Sequence, residues 1–340
     1  DSAQTTAATT LDIVDDAGRT VTIPTPENLN KVYFTSPIGM IMVYTLAPEK
    51  MAGTPMELSE DELTYLDPLC RDLTYLGGMQ SGAEMNKELI VDSGAQIIFS
   101  MGPGKINEAA ISSADELQEQ INIPVVVVSG IFEDMPKSYQ LMGKIFGMEE
   151  RATALADYCD KVLTDVMGAV ATVPEEKRIS VYYAEQADGL CTEPETSGHA
   201  AAFSYANALN VATVEGKGGS GLTPVSLEQV LAWDPQVIIT WGDERGGAYS
   251  LIKSSPDWSK ISAVQNGRIY AMPNVPFSWI DRPPSVNRFL GVQWIANLLY
   301  PDVYDVDIVA VAQEFYKLFY HIDLTPEQLH DLLANSIDKK

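Results

Sequence analysis

The chain has 340 residues, 46% of them hydrophobic and 20% charged, enough apolar material for two cores of ordinary size. Its 22 basic residues face 47 acidic ones, a net charge of -25, which excludes the clustered lysines and arginines that hold nucleic acid. No apolar run approaches the roughly 18 residues of a membrane-spanning helix. The acidic residues are spread along the chain and read as a solvated surface.

Residues 1–10, DSAQTTAATT, are small, polar and aperiodic, and predict a flexible tether. From Leu11 to Pro24 apolar residues alternate on either side of Asp16-Ala17-Gly18, the pattern of a β-hairpin. KVYF (31–34) predicts a strand, followed after Ser36-Pro37 by the helix IGMIMVYTL, and KMAGTP (50–55) is strand-like. A helix over 86–92, a strand over 96–100, a helix over 107–120 and the strand PVVVVS (124–129) complete a first lobe, 11–146.

Residues 147–174 predict one long helix. Leu155, Cys159, Val162, Val166 and Val170 share a face, and Gly147 and Pro174 punctuate the ends. About 25 residues at ~1.5 Å each make a rod of about 38 Å, long enough to bridge two lobes. The second lobe, 175–340 with terminal helices, repeats the grammar: the strand RISVYYA (178–184), the helix HAAAFSYANAL (199–209), the strand QVIIT (236–240) and the strand GRIYAM (267–272). Strands alternating with helices imply two Rossmann-like α/β lobes with mainly parallel sheets, bridged by a single α-helix.

One stretch occurs twice. NKELIVDSGAQIIFSMG (86–102) matches SLEQVLAWDPQVIITWG (226–242) at an offset of 140 positions. Glu88 pairs with Glu228, Gln96 with Gln236, Ile98 with Ile238 and Gly102 with Gly242. Each copy is a helix–strand step ending where a loop leaves the carboxyl edge of a parallel sheet, the edge at which such sheets bind ligands.

The motifs of enzymes are scarce. Gly216–Gly221 fits G-x-G-x-x-G in form only, because Pro224 follows at once and no helix opens there. There is no phosphate-binding loop, nucleophile elbow or H-E-x-x-H, and the three histidines supply a zinc site or a catalytic triad poorly. The three cysteines lack C-x-x-C spacing; Cys159 reads as a buried small hydrophobe, and Cys70 with Cys191 is left as one pair able to bridge. His199, near Glu185 and Glu195, faces the cleft expected between the lobes and is a weak candidate metal ligand or ligand contact. Met56, Met79 and Met101 lie at first-lobe loops, where soft side chains suit a large flat ligand. Phe277–Pro284 sets Trp279 and Arg282 in a proline-pinned loop, and Arg282 suits a ligand carboxylate or phosphate.

The hairpin DDAGRTVTIP, the segment KVYFTSPIG, the repeat SLEQVLAWDPQVIITWG and the closing GRIYAMPNVPFSWIDRPPS, taken in order, resemble the periplasmic and surface-anchored substrate-binding proteins of ABC importers for cobalamin, haem and ferric siderophores. The resemblance covers nearly the whole chain. It implies a non-enzymatic, exported, monomeric protein with no cofactor, whose ligand is a metal chelate held between the lobes. It leaves room for a lipid anchor ahead of residue 1. Candidate contacts are then Ser36, Met56, Met79 and Met101 from the first lobe, and Tyr183, Glu185, His199, Trp241, Trp279 and Arg282 from the second. It also implies that Glu88 and Glu228, one per lobe, dock on arginine pockets of the importer's membrane subunits. Ser226 with Gln229 offers the competing capping-box account of the second glutamate. The alternatives are an oxyanion ligand such as molybdate or tungstate within the same family, or a chelatase-like enzyme.

Overall fold

The computed structural model describes residues 8–79, 85–219 and 221–338. Tether residues 1–7 and Ser220 of the glycine run lie outside the described residues. The chain forms two compact units: the chain to Asp160 with Lys317–Ile322, and Lys161–Tyr316 with the chain from Asp323.

In the first unit, strands β1 (Thr10–Val14) and β2 (Thr20–Pro24) form the expected hairpin, with Gly18 in the left-handed region at the turn. Strands β3 (Val32–Phe34), β4 (Ile97–Ser100) and β5 (Val125–Val127) form a parallel sheet in that order. All three are buried almost throughout, as sheets covered on both faces must be. The helices Pro37–Leu46, Glu108–Ile121 and Met135–Phe146 alternate with them. KMAGTP supplies only isolated bridges, Val32 with Met51 and Thr54 with Tyr75, instead of a strand.

In the second unit, β6 (Ser180–Ala184), β8 (Leu209–Asn210), β10 (Val237–Trp241) and β11 (Ile269–Met272) form a parallel sheet of order β11-β10-β6-β8. The short antiparallel pair β7 (Cys191–Thr192) and β9 (Thr223–Pro224) lies beside it. The helix expected over 199–209 is only the single turns Gly198–Ala200 and Ala201–Tyr205. Asn207 takes a left-handed backbone, and Leu209 and Asn210 join the sheet.

The long helix runs over Glu149–Val170, and Leu155, Cys159, Val162, Val166 and Val170 are buried at the expected spacing, together with Ala152 and Ala156. The division into units falls inside it, after Asp160. Lys317–Ile322 returns to the first unit because its aromatic rings pack there. Phe319 meets Tyr139 and Tyr158, Tyr320 meets Tyr44, and Arg151 donates to the Leu318 carbonyl.

The repeat is kept in three dimensions. The helices Lys87–Asp92 and Leu227–Trp233 and the strands β4 and β10 all begin at positions related by the 140-residue offset, and both strands are internal to their sheets. The repeated glutamine has the same task twice. The Gln96 side chain accepts from the amides of Asn30 and Lys31, and that of Gln236 accepts from the amide of Ser180, at the head of the neighbouring strand. Each glutamine thereby pins the register of its central strand against its neighbour.

Candidate functional site

Three strands of the second unit end side by side, β6 at Ala184, β10 at Trp241 and β11 at Met272. The residues that follow them collect the unit's buried charge. Glu185, Glu193 and Asp281 are 0%, 1% and 0% exposed, values a carboxylate reaches only when paired. Arg282 supplies much of the pairing, its Nε donating to Glu185 Oε1 at 2.9 Å and its Nη2 to Glu193 Oε1 at 2.7 Å. Arg288 donates to Asp281 Oδ1 at 3.0 Å and to the Ile280 and Gly198 carbonyls, and the ring of His199 meets Asp281 Oδ2 through Nδ1. Glu193 also accepts from the Leu222 amide and the Ser197 hydroxyl.

The backbone is shaped to fit. Arg282 has φ of 65°, in the left-handed region that a long side chain rarely enters, and its carbonyl accepts from Arg245 Nη2 at 2.7 Å. The Arg245 loop folds back on Trp241 because residue 247 is glycine: a Cβ there would lie 2.0 Å from the Trp241 carbonyl oxygen. Arg245 is half-buried with its guanidinium carbon 5.3 Å from the Trp241 ring centre, and the indole N–H donates to the Tyr183 hydroxyl at 2.9 Å. Among the described residues no carboxylate lies within ion-pairing distance of Arg245. A cation half out of water, braced on an aromatic face and with no ion pair within 4.0 Å among the described residues, is equipped to take an anion.

Burial pushes the Glu185 carboxyl up to about 7, against the opposing pull of Arg282. The hydrogen bond to Asp281 raises the His199 imidazole, against a desolvation that lowers it. For Arg282 desolvation acts downward, but Glu185 and Asp281 outweigh it and the guanidinium is raised. Both titrating groups give one sign. Glu185 binds its proton more tightly folded than unfolded, so stability is lost as pH climbs from about 4.5 to about 7. The His199–Asp281 contribution is complete below the unfolded imidazole value and is lost as pH rises through the higher folded one. Urea unfolding should therefore give a free energy that falls as pH rises from about 5 to about 7 and goes on falling as the raised His199 imidazole titrates, by at most about 1.4 kcal/mol per pH unit for each group. A flat or rising profile contradicts this account of the network.

The structure places the other sequence candidates as follows. Trp279 does not present its ring to a ligand: it is fully buried, its indole N–H donates to Tyr316 and it packs edge-on against Trp294. Met101 is 2% exposed and packs beside Gly39. Ser36 is buried as the cap of the helix Pro37–Leu46, accepting from the Gly39 amide and donating to the Met101 carbonyl. Tyr183 and Glu185 are buried, the first beneath Trp241 and the second against Arg282. Arg282 is already engaged by two carboxylates. Met56 is half-buried and Met79 is 54% exposed. Among the described residues no three His, Cys, Asp or Glu side chains converge as a metal site, and His199 stands as a partner of Asp281. All three cysteines are free; Cys70 and Cys191 belong to different units.

Sequence reasoning missed Arg245, Glu193, Asp281 and Arg288. Asp281 lies in the proline-pinned loop already singled out, beside Arg282. Arg245 follows the second repeat copy by three residues, a signal its place after a strand end could have supplied. Glu88 and Glu228 are both exposed at the second position of their helices. The caps are made without them, by Asn86 in one copy and by the Ser226–Gln229 capping box in the other.

The family described as Periplasmic binding protein matches residues 106–276. The molybdate-binding protein MolA of Haemophilus influenzae is 26% identical over 344 residues, 93% of this chain and 92% of that protein. Among solved structures, an ABC transporter solute binding protein from Sulfurospirillum deleyianum superposes with a TM-score of 0.85 at 30% identity, over 95% of this chain and 99% of that one. MolA bound to molybdate superposes with a TM-score of 0.71 at 22% identity, over 93% and 99%. Two parallel α/β units, strand ends that gather charge, and these likenesses along the whole chain give one conclusion: the chain belongs to the periplasmic binding protein family, the substrate-binding proteins of ABC transporters.

Proposed function

We infer that the protein captures a compact oxyanion of the molybdate class outside the cytoplasm and delivers it to an ABC importer. The observation that carries this reading is Arg245, a half-buried cation on the face of Trp241 with no carboxylate partner among the described residues. The likeness to MolA over nearly the full length of both chains supports it. Met101, one of the soft side chains suited to a flat ligand, is buried, and so is Trp279. The exposed Met79 and half-buried Met56 favour the second reading, a metal chelate resting on soft side chains.

Titration followed by Trp241 fluorescence separates the two. Molybdate and tungstate are expected to bind, whereas haem, corrinoids and ferric siderophores are not; the reverse result sinks the oxyanion reading. Arg245→Ala should weaken oxyanion binding by about 1.5–3 kcal/mol, the scale of a charge-assisted hydrogen bond. Its melting temperature should barely move, since the side chain holds no buried carboxylate. The exposed pair Glu88 and Glu228 is assigned to docking on the importer's membrane subunits.

A further inference from the structure

Glu185 is a fully buried carboxylate used on one side only. Its Oε1 accepts from Arg282, while Oε2 has no hydrogen-bond partner among the described residues. An ionised oxygen buried without a donor is costly, and a proton on Oε2 removes that cost. The titratable and charged groups around it are Arg282 and Asp281 on the loop after β11, Glu193 after β7, Tyr182 and Tyr183 on β6, and Cys191 on the bridge that pairs with Glu185 itself. Asp281 is balanced by His199 and Arg288. Among the described residues Arg282 alone joins Glu185 to Glu193 in ion pairs, and its guanidinium carbon also lies 5.8 Å from the ring centre of Trp241, the ring that braces Arg245. One guanidinium, 18% exposed, thus lies between two buried carboxylates and the anion-binding arginine.

We propose that Glu185 and the bound anion compete for Arg282, so that the site takes up one proton on Glu185 Oε2 as it takes up its anion. The proposal rests on the oxyanion reading above. Without ligand, ionised Glu185 holds Arg282. When an anion settles beside Arg245, the guanidinium turns toward it, and Glu185, left facing Glu193 and Asp281, accepts a proton from solvent. One O–H bond forms, and the proton offsets one negative charge of the ligand. The high proton affinity of Glu185 in the ligand-free protein makes this exchange reachable near neutral pH. Alkaline conditions keep Arg282 on Glu185 and oppose capture; acid conditions free it in advance.

The test is calorimetric titration of the intact protein with sodium molybdate, in buffers of different ionisation enthalpy. Proton uptake should approach one per anion at about pH 8 and fall toward zero at about pH 6, and Kd should rise by up to about tenfold per pH unit above about pH 7. Glu185→Gln should bind molybdate with no proton uptake from this group and a far flatter Kd. Binding with no proton uptake and a level Kd in the wild type overturns the proposal and leaves the oxyanion reading standing. No binding of molybdate at any pH overturns both. Should Glu185→Gln not fold, carbon NMR of the wild type decides. Molybdate must raise the midpoint of the buried glutamate that titrates near neutral pH, and an unmoved midpoint overturns the exchange.

Discussion

Replacing Arg282 by alanine is expected to lower the unfolding free energy by about 3–5 kcal/mol, the scale found when a buried ion pair loses one partner. The substitution takes the guanidinium from Glu185 and Glu193, both fully buried, and leaves Glu193 only the Leu222 amide and the Ser197 hydroxyl. The loss should be larger at about pH 8 than at about pH 6, because a proton on Glu185 neutralises the stranded carboxyl. Adding Glu185→Gln to Arg282→Ala should recover part of the loss, a coupling that a double-mutant cycle reads directly. Lysine at 282 keeps the charge but not the fork, so it should restore stability only in part. Unchanged urea unfolding of Arg282→Ala would mean that the two carboxylates are held by something other than this arginine.

The second large effect is expected in transport. Glu88→Ala with Glu228→Ala should nearly abolish uptake while leaving the affinity for soluble ligand and the melting temperature alone. Each single change should weaken the complex with the membrane subunits. The stability half of this expectation follows from the helix ends, where Asn86 and Ser226 make the caps and the glutamates stay exposed. Losing a favourable charge at a helix start costs about 1 kcal/mol or less. Normal uptake by the folded double variant would reduce the repeated glutamates to helix-dipole partners.

Much of the fold was legible because it depends on periodicity. Val32–Phe34, Ile97–Ser100 and Val125–Val127 are short apolar runs between turn signals, and the buried face of Glu149–Val170 recurs every three or four residues. The site was less legible. Trp279 and Arg282 looked like plain ligand contacts because an aromatic ring and a cation in a proline-rich loop suit one; Arg282 has a prior claim from buried carboxylates that no ligand-contact pattern displays. What decided their roles was burial against residues distant in sequence: Tyr316 for the first, Glu185 and Glu193 for the second. Arg245 was overlooked for the opposite reason. Two acidic residues directly precede it in sequence, and only the folded geometry shows that no carboxylate among the described residues pairs with it within 4.0 Å.

The short return of Lys317–Ile322 has a consequence for how the molecule is made. Phe319 and Tyr320 plug the first unit, yet they are made only after the whole of Lys161–Tyr316. Domains generally fold as they leave the ribosome, the earliest first. Here the first unit cannot complete its aromatic core until Lys317–Ile322 has followed Lys161–Tyr316 out of the ribosome. A nascent chain released up to Asp160 should therefore remain loosely packed and open to proteases, and adding the segment through Ile322 should be what makes it resistant.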